Sequence, residues 1–340
     1  VISLTAPLTS TAPAPVGVLP GLALAVVVAA AGYGARFLPG LGFFSPMILA
    51  ILIGMVVANL RPLPEAVHPG LQVAMRPVLR TGIVLLGLQI TPARFVALGG
   101  TGLLVVVATL VATFAFTAIL GRRLGVAPAL ADLVAAGSSI CGASAVVAMN
   151  GVANGDREEV AQAVATVTIF GTLSMFAYPA LGVLLGLGPH GYGLWAGASI
   201  HEIAQVVAAG FQGGPEAGEF ATVAKLVRVA LMAPLVIGLG LVRHRGTAGT
   251  VRPPFPWFVV GFVVMVGFGG LVDLGPRLIG GIAQVTTLLL TVALGAMGLM
   301  VDGRRLIGEG WRTLLLGALS WLFVSGFSLA AIVFLGSGRT

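Results

Sequence analysis

The sequence predicts an all-α polytopic membrane protein of about eleven transmembrane helices. Three observations carry that class. Hydrophobic residues make up 58% of the 340 residues and charged residues only 9%, where a soluble domain carries about 25% charged residues. Apolar runs of helix-spanning length follow one another from Gly21 to Leu335 with short connections, leaving no room for a separate soluble domain. The basic residues fall mostly in those connections, so the formal charge of +7 reads as a topology signal rather than a nucleic-acid surface.

Taken in order, residues 1–20 are rich in Thr, Pro and Ala and carry no charge, which lacks the basic start of a signal peptide and reads as a mobile leader. Residues 21–340 form one transporter-like domain. The first spans are Gly21 to Phe37 and Pro46 to Leu60. A basic connection with Arg61, Arg76 and Arg80 follows, in which Pro62 to Met75 is expected to lie along the interface. Thr81 to Leu98 and Gly102 to Leu120 come next, then Ala129 to Asn150, a charged loop at Asp156-Arg157-Glu158-Glu159, and Val160 to Leu187. Gly193 to Gly210 and Phe220 to Val242 carry the ionisable residues taken up below. Trp257 to Leu274, Ile282 to Val301 and Thr313 to Leu335 complete the set.

If each span crosses once, the N-terminal side collects Arg61, Arg76, Arg80, Arg122, Arg123, Arg243, Arg245, Arg252, Arg304, Arg305 and Arg312. The other side collects Arg36, Arg94, Arg157, Arg277 and Arg339. Positive charge favours the cytoplasm, which puts the N-terminus inside and the C-terminus outside a cytoplasmic membrane. Two internal similarities, one pairing the neighbourhood of Ser139 with that of Ser199 and one pairing that of Gly87 with that of Gly298, have different offsets. They cannot both descend from one duplication; the first pairs two polar, interrupted segments.

Function is expected where polar residues interrupt the spans. Gly137-Ser138-Ser139-Ile140-Cys141-Gly142-Ala143-Ser144-Ala145 places small and hydroxylated residues inside a helix-length apolar segment. Such a run reads either as a tight helix crossing or as a break, and irregular backbone at membrane depth survives only inside protein or around a cavity. A break there leaves a half-helix starting near Ala143 whose N–H groups and positive dipole end, with Ser144 beside them, suit an anion. Discontinuous helices are thus expected near 129–150 and 193–210. Charges inside a membrane mark functional sites by default, and here they are Asp132, His201, Glu202, Lys225 and Arg228. Lys225 and Arg228 share a helix face, either presenting positive charge to an anionic substrate or reaching toward headgroups. Asp132, His201 and Glu202 are candidates for a coupling ion, with a helix-start carboxylate and a buried structural pair as the competing readings. Gln205 adds amide groups beside Glu202. Cys141, the lone cysteine, reads as a small packing residue and excludes an intrachain disulfide.

These residues resemble the sulfate exporter family of bacterial inner-membrane proteins. The resembling pieces are Gly137 to Ala143, His201-Glu202-Ile203-Ala204-Gln205-Val206-Val207-Ala208-Ala209-Gly210, Lys225-Leu226-Val227-Arg228-Val229 with Ala233-Pro234, Arg80 to Leu88, and Pro256-Trp257-Phe258. The resemblance implies kinship with the cation–proton antiporter and bile-acid–sodium symporter superfamily. With it come an inverted-repeat core of two crossed discontinuous helices, a panel domain that in related folds often forms a homodimer, and a bacterial cytoplasmic membrane as the location. Sulfate comes with the family's name and not from the residues.

The expectation is therefore a secondary transporter of a small anion, sulfate or a related sulfur oxyanion, working by alternating access in the export direction. No nucleotide-binding motif is present, so coupling to a proton or sodium ion is expected, with no cofactor. The substrate site would draw on Ser138, Ser139, Cys141, Gly142, Ala143, Ser144, His201, Glu202, Gln205, Lys225 and Arg228. The alternatives are a cation–proton antiporter using Asp132 and Glu202, and an intramembrane enzyme using Cys141 and His201.

Overall fold

The computed structural model describes residues 17–243, 256–272, 274–301 and 310–335. The expected leader, apart from its last residues, and Arg245, Arg252, Arg304, Arg305 and Arg339 lie outside the described residues. Those residues form helices and no strand. In chain order they are α1 (Leu19–Ala35), α2 (Pro46–Leu60), α3 (Glu65–Gln89), α4 (Pro92–Ala97), α5 (Gly99–Arg123), α6 (Pro128–Ser139), α7 (Ala143–Ala153) and α8 (Arg157–Leu184). They continue as α9 (Pro189–Ser199), α10 (Ile203–Gln212), α11 (Pro215–Ala230), α12 (Met232–Arg243), α13 (Trp257–Leu271), α14 (Gly275–Leu299) and α15 (Trp311–Phe334). Among the described residues six stretches are long and apolar enough to cross a membrane: α3, α5, α8, α14, α15 and the run Pro215–Leu241 through α11 and α12. The chain is a membrane protein, with α1, α2, α7, α10 and α13 as shorter apolar helices among the long ones.

Several boundaries differ from expectation, among them the start of α11, the start of α14 and the end of the span expected over Thr81 to Leu98, which stops at Gln89. Two others have a clear local reason. The segment expected to lie along the interface is instead the first half of α3, which is continuous from Glu65 to Gln89. Pro69 sits at the start of the α-helical turn, where its missing N–H costs nothing, and Pro77 is absorbed by a π-helical stretch at Ala74–Val78. This half is held by contact with α1, because a Cβ on Gly70 would lie 2.2 Å from the Val18 carbonyl and one on Gly21 would lie 1.9 Å from the Val67 carbonyl. The charged loop before the sixth span is likewise a helix start. Asp156 caps α8 by accepting from Glu159 N at 2.8 Å while Glu159 Oε2 accepts from Asp156 N at 3.0 Å.

Packing between apolar helices in lipid relies on close approach, so small residues set it. Gly193 and Gly197, one turn apart on α9, lie against α11. A Cβ on Gly193 would meet the Ala217 carbonyl at 2.6 Å, and one on Gly197 would meet that of Ala221 at 2.4 Å. This contact fixes the face of α11 that carries Lys225 and Arg228, one and nearly two turns beyond Ala221. On the other side Trp195 of α9 stacks on Tyr178 of α8 at 3.9 Å between ring centroids and donates its indole N–H to the Ser325 carbonyl of α15 at 2.9 Å. Because the Gly197 neighbour is backbone and cannot rotate away, Gly197→Ala is expected to cost about 1–3 kcal/mol. The check is the melting temperature of the purified protein in detergent, where a lowered value is expected and an unchanged one would mean that α9 and α11 can separate.

Candidate functional site: two helix breaks held by one helix

The polar run of 137–145 resolves as a break. α6 ends at Ser139, Ile140 takes φ −117° and ψ −88°, and Gly142 takes φ 66° and ψ −133° before α7 begins at Ala143. A left-handed φ suits glycine, and a Cβ there would also lie 2.4 Å from Glu202 Cγ. The second break follows α9, where Ile200, His201 and Glu202 carry extended or turn backbone before α10 begins at Ile203. Each break leaves carbonyls at the end of one half-helix and N–H groups at the start of the next without intrahelical partners.

The carbonyl ends belong to Lys225 and Arg228. Lys225 Nζ donates to Ile140 O at 2.6 Å in the first break, and to Ile200 O at 2.7 Å and His201 O in the second. Arg228 donates through Nε to Ser139 O at 3.0 Å, through Nη2 to Ser138 O at 3.1 Å and Ser139 O at 2.6 Å, and through Nη1 to Gly197 O at 3.4 Å. Both side chains are 0% exposed, so neither reaches toward headgroups. One helix face thus clamps two negative dipole ends, the arrangement that helix macrodipoles favour for cations. All three ammonium protons are committed to backbone carbonyls.

The N–H ends belong to Glu202. Its carboxylate caps α10 in a box with Gln205, whose Oε1 accepts from Glu202 N at 3.2 Å. The same carboxylate accepts from Ala143 N of α7 at 3.5 Å and from Thr168 Oγ1 of α8 at 3.4 Å. Gln205 is tied to α8 in turn, donating to Thr168 O at 3.3 Å and Thr172 Oγ1 at 3.1 Å. The two breaks therefore meet, with a cationic pole at the helix C-termini and a carboxylate at the helix N-termini.

The remaining candidates fall in three places. Ser144 is exposed and Ala143 and Glu202 are partly exposed at the carboxylate pole. Ser139 Oγ donates to Ala136 O at 3.4 Å, whereas Ser138 Oγ and His201 Nδ1 are buried without a hydrogen-bond partner. Cys141 is buried in the apolar cluster of α6 and α7. Asp132 stands apart, seven residues before Ser139 on α6 and about 10 Å along the helix. It pairs with Arg122 of α5 at 3.6 Å between Oδ1 and Nη2, and its side chain is 3% exposed against 54% for the arginine. Thr168, Thr172 and the carbonyls of Ser138, Ser139, Ile140, Gly197, Ile200 and His201 were not expected. The threonines lie one turn apart on α8, a spacing visible in the sequence; the carbonyls carry no residue-type signal at all.

Comparison with known proteins places the chain in a family of membrane proteins. The family model described as Conserved hypothetical protein 698 matches residues 20–317. A UPF0324 membrane protein of Pseudomonas aeruginosa is 40% identical over 299 residues, covering 83% of this chain and 84% of the relative. One of Corynebacterium glutamicum is 39% identical over 290 residues, covering 84% of each. The UPF0324 inner membrane protein YeiH of Escherichia coli K12 is 34% identical over 329 residues, covering 93% of this chain and 94% of the relative.

Proposed function

We propose that this chain, which belongs to the Conserved hypothetical protein 698 family of membrane proteins, is a secondary active transporter of a small anion. Sulfate or a related sulfur oxyanion is the substrate class, and the coupling ion is a proton. One observation carries the reading: where the breaks meet, two buried cations, Lys225 and Arg228, face a single carboxylate, Glu202. An unbalanced positive charge in a low-dielectric interior attracts an anion. The N-terminus of α7 beside exposed Ser144 offers donors for it. In this reading α6–α7 and α9–α10 are the crossed discontinuous spans in the core of an eleven-span protein with the N-terminus in the cytoplasm, and the anion crosses the bacterial inner membrane in the direction its proton takes.

The geometry suggests how the proton enters. As a carboxylate, Glu202 itself occupies the place at the two positive helix ends where an anion would bind. Protonation removes that negative charge, so the site accepts an anion and a proton together and releases them together. Lys225 and Arg228 act through their charge and by holding the breaks, because their hydrogen bonds are already committed. Cys141 has a packing role, and no reaction chemistry is assigned.

A second reading, cation–proton exchange, rests on Glu202 being where a cation would compete with the proton, with the Thr168 hydroxyl and the Gln205 amide beside it. Ligand-dependent melting separates the two. Saturable stabilisation of the detergent-purified protein by sulfate, stronger at pH 6 than at pH 8, is expected. Stabilisation by sodium or potassium, stronger at pH 8 and indifferent to sulfate, would favour cation exchange.

A further inference from the structure

Hydroxyls inside membrane helices ordinarily donate back to the carbonyl one turn earlier, and this chain follows that habit on helix after helix. Thr222 bonds to Gly218 O, Thr287 to Ala283 O, Ser174 to Phe170 O, Ser199 to Trp195 O, Ser320 to Leu316 O and Ser328 to Val324 O. Helix α5 departs from it. Thr109, Thr113 and Thr117 are each 0% exposed, and none of their Oγ1 atoms has a hydrogen-bond partner. Spaced by four, the three lie on one face of α5 over eight residues, about 12 Å of helix. A buried hydroxyl is paired with protein or with ordered water.

The stripe has two defined ends. Helices α5 and α6 run antiparallel through the short turn at 124–127, and a Cβ on Gly121 would lie 2.6 Å from that of Ala131. With equal rise along both helices, Thr117 comes level with Ala135 and Thr113 with Ser139, where α6 breaks. At one end the stripe therefore approaches the pair of Asp132 with partly solvated Arg122. At Thr113 it reaches the depth of Ser138, whose Oγ is likewise buried without a partner, and Thr109 continues it one turn past the end of α6. The residue of α6 that comes level with Thr117, below the break, is Ala135, small and unable to hydrogen-bond through its side chain.

We propose that water bound along Thr109, Thr113 and Thr117 forms a hydrogen-bonded file from the Asp132–Arg122 end to the break, and that the coupling proton travels along it. The claim rests on the proton-coupled reading above. Each water accepts a proton on one side and gives up another on the other, so the file keeps its composition, and its waters turn back before the next transfer. The proton leaves it at the break, where the Glu202 carboxylate takes it.

Valine removes the hydroxyl while keeping the shape, so the test compares Thr109→Val, Thr113→Val, Thr117→Val and the triple variant with Thr113→Ser. Two readouts are needed: the lumenal pH of proteoliposomes given sulfate, and melting temperature in detergent. The expected result is slowed lumenal pH change in the valine variants, at least tenfold in the triple, with sulfate-for-sulfate counterflow retained and the serine variant near wild type. Melting temperatures should not rise, because valine displaces bound water instead of relieving a dry, unpaired hydroxyl. A rise in all three single variants would overturn the hydrated file. Unaltered pH change in the triple variant would overturn the proton route, as would a wild-type protein that moves sulfate with no pH change. Proton movement in the wild type without sulfate flux would instead sink the anion reading and leave the file standing if the valine variants slow it.

Discussion

Replacing Lys225 by methionine is expected to leave little or no monodisperse protein. The ammonium is the shared partner of Ile140 O, Ile200 O and His201 O, which lie in two separate breaks. Each buried carbonyl left unpaired costs about 1–3 kcal/mol, so three cost about 3–9 kcal/mol. That stands against a total stability of about 5–15 kcal/mol for an ordinary domain. Methionine offsets part of the loss by burying no charge, but it cannot bridge the breaks, and the two half-helix ends would repel one another. Size-exclusion chromatography of a fluorescent fusion measures the effect. The control is Leu226→Met, a buried neighbour on α11 whose volume is conserved. A Lys225→Met variant as well behaved as that control would mean the ammonium is not what holds the breaks together.

The other large effect is expected at Glu202, and it separates fold from function. Glutamine keeps one oxygen that can accept from Ala143 N–H and from Thr168, which share Oε1 in the wild type, so the tie between α7, α8 and α10 survives and the protein folds. It carries no negative charge at any pH. Sulfate binding to the wild type should strengthen by up to about tenfold for each pH unit of acidification across the carboxyl's titration, because one proton is taken up with the anion. In Glu202→Gln the binding should be flat with pH and near the acid limit of the wild type. Counterflow should persist while gradient-driven accumulation is lost. Titration calorimetry with sulfate at a series of pH values checks this, and a parallel pH dependence in both proteins would remove Glu202 from the coupling role.

The sequence showed where the backbone breaks better than what holds the breaks. Ser138, Ser139, Gly142 and Ser144 stand out because small polar residues have no reason to gather in lipid, and the helix does stop there. The similarity between the neighbourhoods of Ser139 and Ser199 pointed to a second interruption, and α9 does stop at Ser199, just before His201-Glu202. The service of Lys225 and Arg228 was hidden for a physical reason. Their partners are main-chain carbonyls up to 90 residues away, and a carbonyl looks the same under every side chain. The double cap by Glu202 was hidden similarly, since its second partner, the Ala143 N–H, becomes available only when α7 starts beside α10. The start of α3 was misread because Pro69 and Pro77 signal interruption locally, whereas one falls in a tolerant first turn and the other in a π-helical stretch. The three threonines of α5 were visible at a spacing of four, but that none bonds back to its own helix is a matter of side-chain placement.

The most direct test of the charge imbalance between Lys225, Arg228 and Glu202 is sulfate flux in proteoliposomes of purified wild-type protein under an imposed proton gradient. Saturable sulfate accumulation that follows the proton gradient and vanishes when it is collapsed is the predicted result. Dissipation of the gradient on adding sodium or potassium, with no flux of sulfate, sulfite or a sulfonate, would contradict the account and identify the carboxylate pole as a cation site.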